Sequence, residues 1–308
     1  MYPNKMAVLE EMFDEACLLI QDEEEVSYLT ALVLATMIIA GKAKSHFHNS
    51  RLNDILELLT LEEDLEMLTT IYIKLMSKGF KEVNYPIDIL IPEGVCYLVG
   101  YIINGLHFNK YYIQALDLNL KAGNFLYSTS RFLEHRELQL VGFEDNEVLG
   151  KLAETLFTLG SKEFFIKPKE EVLLEQERYD LLLGNLDYLN LVKSSPNEVI
   201  DHIEKYIDCL KEDHYFVFLI DNTVVFSESF PKFYDKILKT STLRALVVLP
   251  ENLFLSSERQ KSILIGKKTP NMTENLLVVN LPNIKDDNLD KVIENINELI
   301  YELTEEEK

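Results

Sequence analysis

The chain has 308 residues, 47% of them hydrophobic, enough to bury a sizeable core in one large domain or two smaller ones. Its three cysteines, Cys17, Cys96 and Cys209, lie far apart, with no CxxC and no nearby histidine pairing, which argues against a disulfide framework or zinc site and fits a reducing cytoplasm. A formal net charge of -22 sets the chain against phosphate backbones, so a nucleic-acid partner needs a local basic patch, and a protein partner stays open.

The first nineteen residues, MYPNKMAVLEEMFDEACLL, carry acids where a secretory signal needs a basic end before an apolar block, so no export is expected. Leu9, Met12, Phe13, Ala16, Leu19 and Ile20 recur at three- and four-residue steps and predict an amphipathic helix. A second helix is expected over Tyr28 to Ala40, with Gly41 as its stop. It falls short of the roughly twenty residues that span a bilayer, so no membrane partner is expected. His46 and His48 have no third ligand beside them, and no metal site is expected. TLEEDLEMLTTIYIKLMSKG opens on a capping-box pattern, Thr60 and Glu63, and predicts a helix ending at Gly79. Residues 1–84 thus read as a helical domain.

Prolines interrupt the pattern between Tyr85 and Pro92, and GVCYLVGYIINGL then predicts a further apolar helix. From there short apolar runs alternate with amphipathic helices: YYIQALDL, NFLYSTSRFLEH, LQLVGFE, EVLGKLAETLFTLG, EFFIK, YDLLLGN, PNEVIDHIEKYIDCL, HYFVFLID, SFPKFYDKILK and LRALVVLP. That rhythm predicts an α/β domain over 85–308, a mainly parallel sheet with helices on both faces. KSILIGKK and NLLVVNLP follow without a helix between them and predict a hairpin or antiparallel edge. The final LTEEEK reads as a frayed acidic tail.

Four strand tips carry candidate chemistry, since ligands of open α/β sheets bind at the carboxyl ends of strands. They are LDLNLKAGNFL (116–126), LVGFEDNEVLGKLA (140–153), FFIKPKEE (164–171) and GNLDY (184–188). In this order they resemble the loops of class I S-adenosylmethionine-dependent methyltransferases. More narrowly, the chain is similar to the adenine-specific DNA methyltransferase-like family of Firmicutes, related to type I restriction modification subunits. That family has an N-terminal helical domain, a Thr-Pro-Asp segment, a D-P-x-x-G-x-G-N loop, a G-x-E-x-D strand end and a catalytic Asn-Pro-Pro-Tyr loop. DILIPEGVCYLVGYI (88–102) matches the Thr-Pro-Asp segment, with Pro92 at its proline. VVLPENLFLSSERQKSILIGKK (247–268) matches a late segment that speaks for fold.

The resemblance implies a methyltransferase-type, Rossmann-like fold and S-adenosylmethionine as cofactor. It places Pro92, Asp117, Lys121, Gly123 and Asn124 at the cofactor loops and Glu144 on the ribose hydroxyls, where two coplanar acceptor oxygens suit the task. Lys121 stands where the family has glycine; its side chain either crowds the methionine part, swings outward or offers a cation to an anionic ligand. Lys167 and Pro168 replace the family's adenine-binding acid, and Asn146 a second acid. For catalysis on an exocyclic amine, the Asn185 side chain and the Leu186 carbonyl accept the amine hydrogens while Tyr188 stacks on an extruded base. Asp187 brings a charge where the family has proline, and could serve a different acceptor as a base. The plain alternative is a polar loop after a buried strand, in a methyltransferase fold kept as an interaction module.

Overall fold

The computed structural model describes residues 4–107, 109–133, 135–174, 178–254, 260–270, 276–283 and 288–305. Helices α1 Lys5–Glu24, α2 Tyr28–Ile39, α3 Ser50–Thr60, α4 Leu65–Glu82 and α5 Glu93–Leu106 precede the first strand, β1 Tyr112–Asp117. Alternation follows: α6 Asn124–Ser130, β2 Glu137–Gly142, α7 Glu147–Leu159, β3 Phe164–Ile166, α8 Lys169–Leu174, β4 Tyr179–Asn185, α9 Pro196–Tyr206 and β5 Leu210–Asp221. Then come α10 Asn222–Val225, α11 Phe230–Ile237, β6 Thr242–Val248, β7 Lys261–Lys267, β8 Leu277–Asn280 and α12 Leu289–Glu305. Residues 255–259 of the late segment and 306–308 of the acidic tail lie outside the described residues.

The chain forms two compact units. The first runs through Leu90 and takes in Lys121–Asn124 and Asp145–Phe164. Its helix α1 buries Leu9, Phe13, Ala16, Cys17 and Ile20, the stripe expected from the spacing. Gly41 follows α2 at φ +68°, the left-handed conformation that stops a helix. The capping box at Thr60 and Glu63 does not form. Leu52, Ile55, Leu56 and Leu59 extend an apolar face up to Thr60, so Thr60 is the last residue of α3 and its hydroxyl donates to the Leu56 carbonyl at 2.8 Å. Asp64 caps α4 instead, accepting from the Met67 amide at 2.9 Å. Nor does Gly79 end that helix; it lets Leu29 and Tyr28 of α2 pack against the backbone of α4. Helix α7 belongs here because Leu149, Leu152, Ala153, Leu156 and Phe157 need an apolar partner and find it on α2 and α4. The Tyr72 hydroxyl donates to the Leu152 carbonyl at 3.0 Å.

The second unit holds an eight-stranded sheet in the order β3-β2-β1-β4-β5-β7-β6-β8. It is mainly parallel; β7 alone among these strands runs antiparallel to its neighbours, β5 and β6, toward one side of the sheet. Of the two arrangements expected here, a hairpin or an antiparallel edge, β7 supplies the antiparallel strand toward one edge and no β7–β8 hairpin forms: β7 is buried along nearly all its length and lies inside the sheet, whereas β8 alternates and pairs parallel to β6. On one face Val199, Ile203, Tyr206 and Phe233 of α9 and α11 pack on Leu182, Phe216, Phe218 and Leu264. α5 packs against β5 and against α12, where Gly105 makes room for Ile300. The stretch Ile87–Leu106 is apolar enough to cross a membrane by length and composition. Its α-helix has only 14 residues, with Val95, Val99, Ile102 and Ile103 buried in the fold.

Candidate functional site

The sheet order turns at β1 and β4, which makes their carboxyl ends the topological switch point where ligands bind in open α/β folds. In register, Asp117 lies beside Gly142 of β2 and Leu183 of β4, so the first, second and fourth tips meet. Asp117 is buried and its Oδ1 accepts from the Asn119 amide at 2.9 Å. The Asn119 side chain then reaches across to the fourth tip, donating to the backbone carbonyls of Asn185 and, at 3.0 Å, Tyr188. Backbone pairing carries on past β1: Leu118 donates to the Leu183 carbonyl at 2.9 Å and Leu120 to that of Phe143 at 3.3 Å.

Asn185 ends β4 and is 2% exposed. Its Oδ1 accepts from the Asp187 amide at 3.3 Å, an Asx turn that starts a single 3-10 turn over Leu186–Tyr188. Its Nδ2 has no acceptor among the described residues. Leu186 is buried and Tyr188 is half-buried. Asp187 is buried with its Oδ2 2.7 Å from the ammonium of Lys261, itself buried beneath the Phe254 ring. Burial pushes the Asp187 carboxyl up from the usual range, and the charge of Lys261 opposes that shift. A second pair, Lys193 with Asp221, also spans 2.7 Å. Burial acts against the Asp221 charge, but the ammonium of Lys193 and hydrogen bonds from Thr223 outweigh it and hold that carboxyl low.

Glu144 lies two residues beyond β2, half-buried, and Pro92 precedes α5 with its carbonyl accepting from the Val95 amide at 2.9 Å. At the third tip the Lys167 amide donates to the Gly142 carbonyl at 3.0 Å. Beside it, Phe143, His202 and Tyr206 form an aromatic cluster, with His202 Nε2 3.0 Å from the Leu118 carbonyl oxygen. A cavity of about 320 Å³ is lined by Lys169, Leu189, Asp201, His202 and Tyr206 among others.

Lys121, Gly123 and Asn124 group with the helical unit. Lys121 holds φ +52°, the left-handed conformation that glycine adopts freely, so the lysine keeps the glycine backbone path with some strain. Its side chain is buried and does not swing out into solvent. Gly123, at φ +80°, leaves room for Ala153; a Cβ there would stand 2.9 Å from that methyl group. Sequence reasoning missed Asn119, Lys193, Asp221 and Lys261. The one available signal was Asp221 at the end of an apolar run, since a buried acid requires a partner.

Within the second unit the donor set fits the ribose part of S-adenosylmethionine, since Glu144 offers a partly exposed carboxylate for its hydroxyls; of the aromatic cluster Phe143 and Tyr206 are buried, and the half-buried His202 lines the cavity.

The switch-point sheet with a helical unit before it is the class I S-adenosylmethionine-dependent methyltransferase fold. A Listeria monocytogenes protein assigned to that class superposes with a TM-score of 0.81 at 20% identity, covering 96% of this chain and 98% of that one. The methyltransferase subunit of a type I restriction-modification system from Streptococcus thermophilus aligns with a TM-score of 0.61 at 14% identity, over 96% of this chain and 81% of the subunit. In sequence, the chain is similar to the uncharacterized protein YtxK of Bacillus subtilis, 23% identical over 279 residues, or 82% of this chain and 83% of YtxK. No protein-family model matches the chain.

Proposed function

We propose that the protein is an S-adenosylmethionine-dependent methyltransferase that acts on an adenine-type exocyclic amine of nucleic acid. The observation that carries this reading is Asn185 at the end of β4, on the switch point, followed directly by Leu186 and a half-buried Tyr188. When bound, the cofactor supplies an electrophilic methyl group. An aromatic amine is a poor nucleophile because its lone pair is shared with the ring, and acceptors placed at its hydrogens release that pair. A carbonyl oxygen has two lone pairs, so Asn185 Oδ1 can accept an amine hydrogen while its long bond to the Asp187 amide persists. The Leu186 carbonyl supplies the second acceptor, and the Tyr188 ring stacks on the base. Asp117 and Glu144 serve the cofactor side. Cys17, Cys96 and Cys209 are free and buried, which supports a reducing, cytoplasmic setting.

A second reading is a fold kept for protein interaction without catalysis. Lys121 buried at a glycine position and the Asp187–Lys261 pair in a catalytic loop favour it. Calorimetric titration with S-adenosylmethionine and S-adenosylhomocysteine separates the two. The methyltransferase reading expects micromolar binding, weakened at least about tenfold in Glu144→Ala by loss of a charge-assisted acceptor. Labelled methyl transfer to adenine in DNA and RNA then tests the acceptor. Equal binding by the wild type and Glu144→Ala removes Glu144 from the site, and no binding at millimolar cofactor favours the second reading.

A further inference from the structure

A square of charges lies at the tips of β4, β5 and β7, with Asp187, Lys261 and Asp221 buried and Lys193 at the surface. Asp221, the last residue of β5, stands opposite Lys261, the first of β7, in their antiparallel ladder. The loop after β4 crosses this pair: its Asp187 goes to Lys261 and its Lys193 to Asp221, each at 2.7 Å. The Asp187 and Lys261 side chains are 0% and 1% exposed. Charges so deeply buried lose their hydration, and an apolar pair would fill the same space without that cost. What the charges add is direction, because each ties one loop residue to one strand. Further bonds hold the same loop: Asn119 reaches the Asn185 and Tyr188 carbonyls, and the Ser194 amide donates to the Asp187 carbonyl at 2.7 Å. The loop has none of the proline that would stiffen it at Leu186 and Asp187.

We propose that Lys261 and Lys193 are positioning residues that fix the 186–194 loop against β7 and β5 and so hold Asn185 and Tyr188 ready for the methyl acceptor. The clamp is a property of the loop itself; its purpose rests on the methyltransferase reading above. The pairs run from one loop to two strands that are neighbours in the sheet, so loss of the buried Asp187–Lys261 pair should loosen the loop while leaving the strands paired.

Hydrogen–deuterium exchange followed by mass spectrometry on the full chain tests this, with Lys261→Met, Asp187→Asn, their double variant and Lys261→Arg. In Lys261→Met and in Asp187→Asn the 186–194 amides should exchange at least about tenfold faster while β5 amides keep their protection, the mark of a local opening. The double variant should be no looser than the looser single one, because both remove the same contact. Lys261→Arg should restore most of the protection, and affinity for S-adenosylmethionine should stay within about twofold of wild type in all four, since the clamp does not touch the ribose acid. Unchanged loop exchange in Asp187→Asn overturns the clamp, as do additive effects or equal loosening of loop and β5. Asp187→Asn removes charge at nearly constant volume, so it decides the matter even if Lys261→Met does not fold. A loop loosened as expected in a wild-type background that binds no cofactor overturns the assignment to methyl transfer and leaves the clamp standing.

Discussion

His107 follows α5 with its ring buried, Nδ1 3.2 Å from the Ile103 carbonyl oxygen and Nε2 3.2 Å from that of Asp180. Burial pulls its pKa down to about 4, against the two carbonyls that favour the charged ring. The folded value lies below the ordinary one, so between about 6.5 and 4 the unfolded chain takes up a proton that the folded chain refuses. Stability from this site is therefore lost as pH falls through that window, by at most about 1.4 kcal/mol per pH unit. In His107→Gln, whose amide can still donate to a carbonyl, urea denaturation between pH 4.5 and 7 should show a flatter dependence than wild type. Parallel curves would assign the acid loss to other groups. Candidate residues at strand ends, such as Asn185 and Glu144, are legible in the sequence because an apolar run marks where the strand stops. Lys261 is not, because its partner Asp187 lies in a distant loop and only the sheet order brings them together.

Two capping-box patterns show how far an element can be read from its ends. Ser195 and Glu198 form one: the Ser195 hydroxyl accepts from the Glu198 amide at 3.4 Å and the Glu198 carboxylate accepts from the Ser195 amide at 2.7 Å. Pro196 at the first helical position adds to the start signal. Thr60 and Glu63 match the same pattern and fail, since the apolar stripe before Thr60 already commits it to α3. A cap is thus readable only where no earlier periodicity claims its residues. Ser195→Ala should lower unfolding free energy by about 1 kcal/mol in urea titrations, and Ser195→Asp should recover most of it. Equal stability of all three would mean that α9 is held by packing alone. For β7, the apolar composition showed a strand, but its place between β5 and β6 depends on pairings remote in sequence.

A molecule with 52 acidic and 30 basic residues repels itself at neutral pH. Exposed pairs such as Lys5–Glu62, Arg51–Glu15 and Lys74–Glu10 offset little of this, because surface ion pairs contribute small amounts and are screened by salt. Raising sodium chloride from about 10 to 150 mM shortens the screening length from about 30 to 8 Å and should raise the melting temperature. A fall in scanning calorimetry would mean that the surface pairs outweigh the repulsion. The overall plan of helices followed by an alternating α/β chain was plain from the order of apolar runs. The membership of α7 was not, because its stripe fits a helix on either unit. Its place with α2 and α4 also sets a schedule for synthesis. The helical unit cannot close until the ribosome has delivered Phe164, and at roughly 5–20 residues per second the N-terminal helices wait several seconds with an apolar flank uncovered. Chaperones that recognise nascent chains would meet the protein in that interval.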